Sequence, residues 1–262
     1  MRPVWLFDLD NTLHNASAGA FRMIDRAMTD YVEQALAVDR AEADRLRRHY
    51  WQRHGATMLG LMRHHGVSAP HFLHHTHRLP GLEAVLKRQP HDLAALRRLR
   101  GRKYVLTNAP LAYALRVLGA LGLARAFDGV IAIDQMRQFG HWRPKPDARM
   151  LRGIAVRLRV PPARCVLVED TLAHQKAARR VGMRTVWMQR WLRWAARASA
   201  GGSGAKALAG PESALPLRRK PAYVCDRISA LLDLTRWPRR APPGRRAPHD
   251  DRAHPRSRRR VA

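Results

Sequence analysis

The chain has 262 residues, a formal net charge of +29 and a hydrophobic fraction of 46%. That length allows one or two domains with a sizeable core and no need of disulfides, and the apolar fraction excludes disorder of the whole chain. No apolar run is long enough to span a bilayer, so no membrane partner is expected. Val4 to Phe7 stops at Asp8, too soon for the apolar core of a signal peptide. The cysteines, Cys165 and Cys225, have no metal or redox spacing and fit a reducing cytoplasm. The basic excess suits nucleic acid or small phosphorylated substrates, or is a habit of composition carried by Arg. Residues 238–262 hold nine Arg and two Asp, or +7, so most of the +29 lies elsewhere and no single basic block explains it.

In chain order, Pro3 to Leu9 is an apolar run bounded by acids, which predicts a buried strand. From Ser17 to about His77 the pattern is helical: Phe21, Ile24, Met28, Tyr31 and Val32 recur at helical spacing. Pro80-Gly81 and Pro90 punctuate the chain, and a helix is predicted from Asp92 to Leu99. Strands and helices then alternate. Strands are predicted at 103–107, 129–133, 164–168 and 184–188, and helices at 110–121, 147–158 and 171–181. This alternation predicts an α/β fold with a doubly wound parallel sheet. The helical block at residues 15–90 interrupts it after the first strand and reads as an inserted cap. The core is then residues 1–14 and 91–235. Residues 195–221, rich in Ala, Gly, Ser and Pro, read as a flexible insertion, and 236–262 as a disordered basic tail. A short strand and helix are expected within 222–234.

Acids are scarce, so their placement is informative. Asp8 and Asp10 end one predicted strand, and Glu169 and Asp170 end another. Thr107 and Asn108 end a third, and Lys145 follows a fourth. In open parallel sheets, ligand sites form outside the carboxyl ends of the strands. Alone, Asp8-Leu9-Asp10 could equally cap a helix or shape a turn; the ordered set of four features points to a site. Clustered carboxylates repel and favour a divalent cation such as Mg²⁺, which takes carboxylate, water and phosphate oxygens. A carboxylate can attack phosphorus, and a second one can protonate the leaving oxygen and then activate water. A hydroxyl, backbone N–H groups and a lysine can hold phosphoryl oxygens.

These segments also resemble a known family. Phe7-Asp8-Leu9-Asp10-Asn11-Thr12-Leu13 is similar to the first motif of the haloacid dehalogenase superfamily, and Leu106-Thr107-Asn108 to its second. Arg143-Pro144-Lys145-Pro146 resembles the third motif, and Val168-Glu169-Asp170-Thr171 the fourth. The resemblance covers about residues 1–190, and 222–234 as a closing strand and helix. It implies a Rossmann-like core with a small helical cap, a Mg²⁺ cofactor and hydrolysis of a phosphomonoester. It implies Asp8 as nucleophile, Asp10 as general acid/base, Lys145 as charge stabiliser, and Thr107 and Asn108 as phosphate-binding. The implied metal ligands are Asp8, the Asp10 backbone carbonyl and Asp170, with Glu169 as a further or water-mediated one. Many relatives place another Asp four residues after the Asp of the fourth motif, where this chain has His174. Dehalogenases of the superfamily lack an acid at the position of Asp10, so phosphate-ester cleavage is the implied reaction.

The stretch from Tyr50 to Met62 resembles the cap of the pyrimidine 5′-nucleotidase branch, which implies nucleoside monophosphates as substrates. Tyr50, Trp51 and Arg53 could meet a base, or Tyr50, Trp51 and Met58 could pack the cap helices. Phosphosugar hydrolysis or phosphate transfer between sugars are alternatives within the same superfamily. A nucleic-acid-binding role built on the same scaffold is another. His64, His65, His71, His74, His75 and His77 read as a solvated cap face rather than a second metal site. Trp187, Trp191 and Trp194, among arginines, read as packing against the insertion or a partner rather than a membrane or nucleic-acid stripe.

Overall fold

In the computed structural model the described residues are 2–192 and 220–236. The expected strand at residues 3–9 forms as β1 (Val4–Phe7), in which every residue is buried. Its alternate side chains enter two separate cores. Trp5 and Phe7 join one, and Val4 and Leu6 join the other. A strand buried on both faces needs a continuous apolar run, which explains why no polar alternation is visible.

Strands β2 (Arg102–Leu106), β3 (Gly129–Ile131), β6 (Cys165–Glu169), β7 (Arg184–Met188) and β8 (Asp226–Ile228) complete a parallel sheet with β1. The order is β3-β2-β1-β6-β7-β8, so β1 lies between β2 and β6. Between β3 and α8 (Ala148–Arg157), the two short strands β4 (Arg137–Gln138) and β5 (His141–Trp142) form an antiparallel hairpin. One face of the sheet is covered by α6 (Pro90–Arg98) and α7 (Leu111–Leu121). The other is covered by α8 and α9 (Leu172–Arg180). The doubly wound α/β fold expected from the alternation is the one observed.

The boundaries shift where capping chemistry overrides the apolar pattern. Helix α6 starts two residues before the predicted Asp92, on Pro90. Proline is tolerated at a first helical position because that N–H has no intrahelical partner. Asp147 caps α8 by accepting from the N–H groups of Arg149 (2.7 Å) and Met150 (3.2 Å). The helix expected near residue 234 is a 3₁₀ turn over Leu231–Arg236. The expected flexible insertion and basic tail fall almost wholly outside the described residues, as does Trp194.

Between β1 and β2 the chain inserts five helices: α1 (Ala20–Leu36), α2 (Arg40–His54), α3 (Thr57–His65), α4 (Ala69–His77) and the single turn α5 (Leu82–Val85). Tyr31, Val32, Tyr50, Met58, Leu61 and Phe72 form an apolar cluster inside this insert. Tyr50 and Met58 are therefore packing residues, while Trp51 is 42% exposed. A Cβ at Gly60 would lie 2.2 Å from the Tyr50 ring, so α2 and α3 approach closely only because residue 60 has no side chain. His64, His65, His71, His74 and His75 are exposed, as expected, and His77 is not. Trp187 sits in a small apolar cluster with Leu172 and Val224 instead of an exposed stripe.

One ion pair ties the end of β7 to α6. Arg190, just past β7, donates to both Asp92 oxygens at 2.7 and 2.8 Å, and both side chains are largely buried. Removing one member strands the other charge, so Asp92→Ala is expected to cost about 3–5 kcal/mol in a denaturant titration. A loss below about 1 kcal/mol would mean the pair behaves like a surface one.

Candidate active site

β1 ends at Phe7, β2 at Leu106 and β6 at Glu169. These three strands are neighbours and run parallel, so Asp8, Thr107 and the Glu169-Asp170 pair emerge side by side at one rim of the sheet. From β1 the chain builds β2 and β3 on one side and then crosses back to β6 on the other, and such a switch point opens a crevice at the carboxyl ends. The Asp8 N–H still bonds to the Val168 carbonyl (2.9 Å), which holds it in register with β6.

Lys145 arrives from the loop between β5 and α8. Its ammonium donates to Asp8 Oδ1 (2.6 Å) and Glu169 Oε2 (2.8 Å), and the side chain is 2% exposed. Burial alone would lower its pKa, but the two carboxylates hold it above the usual lysine value. Asn108 fixes the Lys145 backbone in a reciprocal pair. Its Oδ1 accepts from the Lys145 N–H (2.8 Å), and its Nδ2 donates to the Lys145 carbonyl (3.0 Å). The Asn108 side chain, expected at the phosphate, is thus engaged in shaping the lysine loop. Thr107 is buried, and its Oγ1 accepts from the Ala109 N–H (3.0 Å), which leaves the hydroxyl hydrogen free to donate.

The three carboxylates differ in electrostatic environment. Burial, then Glu169, push the Asp8 pKa up to about 6, against the pull of Lys145. Burial would also raise Glu169, but Lys145 and His174 outweigh it and hold that carboxyl well below the usual range. Burial, Glu169 and Asp8 push Asp170 well above its ordinary value. Carboxylate oxygens of Asp8, Glu169 and Asp170 all lie within 4.8 Å of one another. One ammonium faces three carboxylates, a set of hard oxygen donors short of positive charge, and this fits a divalent cation of the Mg²⁺ type. Glu169 is already occupied: besides Lys145, its Oε1 accepts from the Thr171 N–H (3.1 Å). Asp8 and Asp170 are therefore the better candidates for direct coordination. His174, four residues after Asp170 and noted above as a departure from many relatives, has Nδ1 3.0 Å from Glu169 Oε2, an ion-pair distance without hydrogen-bond alignment.

Asp10 stands slightly apart. Its Oδ1 accepts from the Tyr113 hydroxyl (2.8 Å) and lies 2.9 Å from His14 Nε2. Burial and then Asp10 raise the Tyr113 pKa well above its ordinary value, so the hydroxyl remains a donor. His77, at the end of α4, packs edge-on against the Tyr113 ring, and burial pushes its pKa down to about 4. Sequence reading missed His14, Tyr113 and His77 as neighbours of Asp10. His14 lies four residues after Asp10, a spacing that could have flagged it; Tyr113 is 103 residues away and had no local signal.

The family model for haloacid dehalogenase-like hydrolases matches residues 4–182, well over half of the chain. The chain belongs to this family. Among curated relatives, a phosphoglycolate phosphatase of Cupriavidus necator is 34% identical over 145 residues, 55% of this chain and 57% of that protein. Phosphate metabolism protein 8 of Saccharomyces cerevisiae is 28% identical over 138 residues, 49% of this chain and 43% of that protein. The fructose-1-phosphate phosphatase YqaB of Escherichia coli is 39% identical over 80 residues, 30% of this chain and 40% of that protein. The chain thus spans about half the length of the curated relatives it matches. Among solved structures, a family phosphatase from Thermococcus onnurineus is similar with a TM-score of 0.56 and 21% identity, over 90% of this chain and 97% of that one. The protein CbbY of Rhodobacter sphaeroides, solved with phosphate, has a TM-score of 0.56 and 22% identity, over 89% of this chain and 96% of that one. These likenesses establish the hydrolase fold and its core. Among the described residues, no helix is long and apolar enough to cross a membrane.

Proposed function

We propose that the chain is a Mg²⁺-dependent phosphomonoesterase that works through a phosphorylated Asp8. The observation that carries this reading is the Lys145 ammonium bridging Asp8 and Glu169 at a strand-end crevice, with a second carboxylate, Asp10, two residues from the first. Two curated relatives are named as phosphatases of small phosphorylated metabolites, and this supports the same chemistry here.

Asp8 attacks phosphorus as the ester P–O bond breaks, and Asp10 delivers a proton to the departing oxygen. Asp10 then takes a proton from water as that water attacks phosphorus and the Asp8–phosphorus linkage breaks. Lys145 keeps Asp8 oriented and offsets charge on the transferring group, while the Thr107 hydroxyl donates to a phosphoryl oxygen. Asp8, Asp170 and the Asp10 carbonyl would hold Mg²⁺, with Glu169 beside them, and the cation would neutralise phosphoryl oxygens when bound. The insert of α1–α5 serves as the cap that closes over the substrate. Free Cys165 and Cys225 fit a cytoplasmic setting.

Nucleoside monophosphates remain the class implied by the Tyr50–Met62 resemblance. However, Tyr50 and Met58 lie in the core of the insert, so they support its packing and do not read a base. A phosphate-release panel of nucleoside monophosphates, phosphoglycolate and fructose 1-phosphate tests the reading. Release is expected with Mg²⁺, and EDTA should abolish it until Mg²⁺ is restored. No release from any member would overturn the proposal. Appearance of a phosphorylated sugar acceptor in place of inorganic phosphate would mark a mutase instead.

A further inference from the structure

The arrangement around Asp10 is more specific than a general acid/base requires, because both of its neighbours converge on one oxygen. Tyr113 has a single O–H, and it is spent on Asp10 Oδ1 at 2.8 Å. His14 Nε2 lies 2.9 Å from the same oxygen. His14 is 1% exposed, and its Nδ1 is buried with no hydrogen-bond partner among the described residues. A neutral ring protonated on Nε2 leaves only a bare acceptor at Nδ1, which costs less than a buried N–H donor with no partner. That tautomer makes His14 a second donor to Oδ1. An oxygen that accepts twice does not also carry a proton, so the exchangeable proton belongs on Oδ2.

We propose that Tyr113 and His14 are positioning residues that pin Asp10 Oδ1 and reserve Oδ2 for proton delivery to the leaving oxygen. This rests on the phosphomonoesterase reading above. The clamp is also braced by the inserted helices. Tyr113 and Arg116 lie one turn apart on α7. The Tyr113 ring meets the His77 ring of α4 edge-on, with centroids 5.6 Å apart. Arg116 donates to Glu83 Oε1 (2.8 Å) and to the Leu79 carbonyl (3.0 Å), both in the insert. His77 Nδ1 is in turn 2.9 Å from Thr76 Oγ1. The helix that orients the acid is therefore the helix that holds the insert against the core.

The test compares kcat/KM for two esters, since this ratio reports steps only through departure of the leaving group. Fructose 1-phosphate loses an alkoxide and needs the proton; p-nitrophenyl phosphate loses a stable phenolate and does not. Tyr113→Phe keeps the ring against His77 and removes the donor. It is expected to lower kcat/KM for the sugar phosphate by about 30-fold or more, and for the aryl ester by less than about 3-fold. His14→Gln, which can still donate from its amide, should retain more sugar-phosphate activity than His14→Leu. Inhibition of Tyr113→Phe by inorganic phosphate should match wild type, and the assays are run well below its melting temperature, so that loss of fold does not enter the comparison. Equal losses on both esters, or no loss on either, would overturn the positioning role while leaving the phosphatase reading intact. If fructose 1-phosphate is not turned over by wild type, another alkyl phosphate of the panel that is turned over takes its place, and a wild-type chain inert toward every panel member and the aryl ester would overturn the reading itself and the clamp with it.

Discussion

Asp8→Asn is expected to reduce phosphate release by at least about 10⁴-fold, because the amide is a poor nucleophile and no neighbour can take its place. Glu169 is bonded to Lys145 and the Thr171 N–H, and Asp10, pinned through Oδ1 by Tyr113 and His14, is set to exchange a proton, so neither replaces Asp8 as nucleophile. The same substitution should stabilise the metal-free fold. The Asp8 pKa is raised by burial and by Glu169 to about 6, above its ordinary value of 3.8. A group raised on folding contributes stability that is complete below its unfolded pKa and is lost as pH rises through the folded one. Metal-free wild type should therefore lose stability between about pH 4 and pH 6 relative to Asp8→Asn, leaving the variant about 2 kcal/mol more stable at pH 7. Urea titrations of both proteins in EDTA at pH 4.0 and 7.0 measure this. A variant less stable than wild type at pH 7.0 would show that the bond to Lys145 outweighs the crowding of carboxylates. Such a result would also remove the electrostatic argument for a cation. Added Mg²⁺ should close the gap by binding wild type more tightly than the variant.

Lys145→Met should cause the largest combined loss. The side chain is 2% exposed and satisfies Asp8 and Glu169 at once. Methionine fills similar volume but leaves two buried carboxylates facing each other and Asp170 without their ammonium. Breaking a buried pair in this way costs about 3–5 kcal/mol. Turnover should fall by on the order of 10²–10³-fold, since a charge aimed at the phosphoryl group is also removed. Because low stability alone could depress activity, turnover is best measured well below the melting temperature with far-UV circular dichroism matched to wild type. Near-wild-type kcat in folded Lys145→Met would overturn the assigned role. A melting temperature unchanged in EDTA would show instead that the carboxylates take up protons in place of the ammonium.

Local signals in the sequence reached most of the core. Continuous apolar runs such as Val4–Phe7 and residues 165–168 form strands covered on both faces, and the acids that follow them mark the site rim. The roles of Asn108 and Tyr50 were less legible. Asn108 follows a strand end just as Thr107 does, and only the position of the Lys145 loop shows its amide to be engaged with that backbone. Tyr50 has the composition of a base-stacking residue, and its burial depends on Gly60 from the next helix.

By itself the sequence determined the alternation of strands and helices, the insert after the first strand, and the acids, threonine and lysine placed at strand ends, because these depend on periodicity and order along one chain. Tertiary structure alone decided which oxygen of Asp10 is held, that His14, Tyr113 and His77 gather around it, and that His174 stands beside Glu169. Tyr113 and His77 come from segments far along the chain, and no spacing encodes their meeting with Asp10; for His14 and His174 the short spacing brings the residue near, but only the folded buried crevice, where low polarity makes each hydrogen bond and charge consequential, decides the contact.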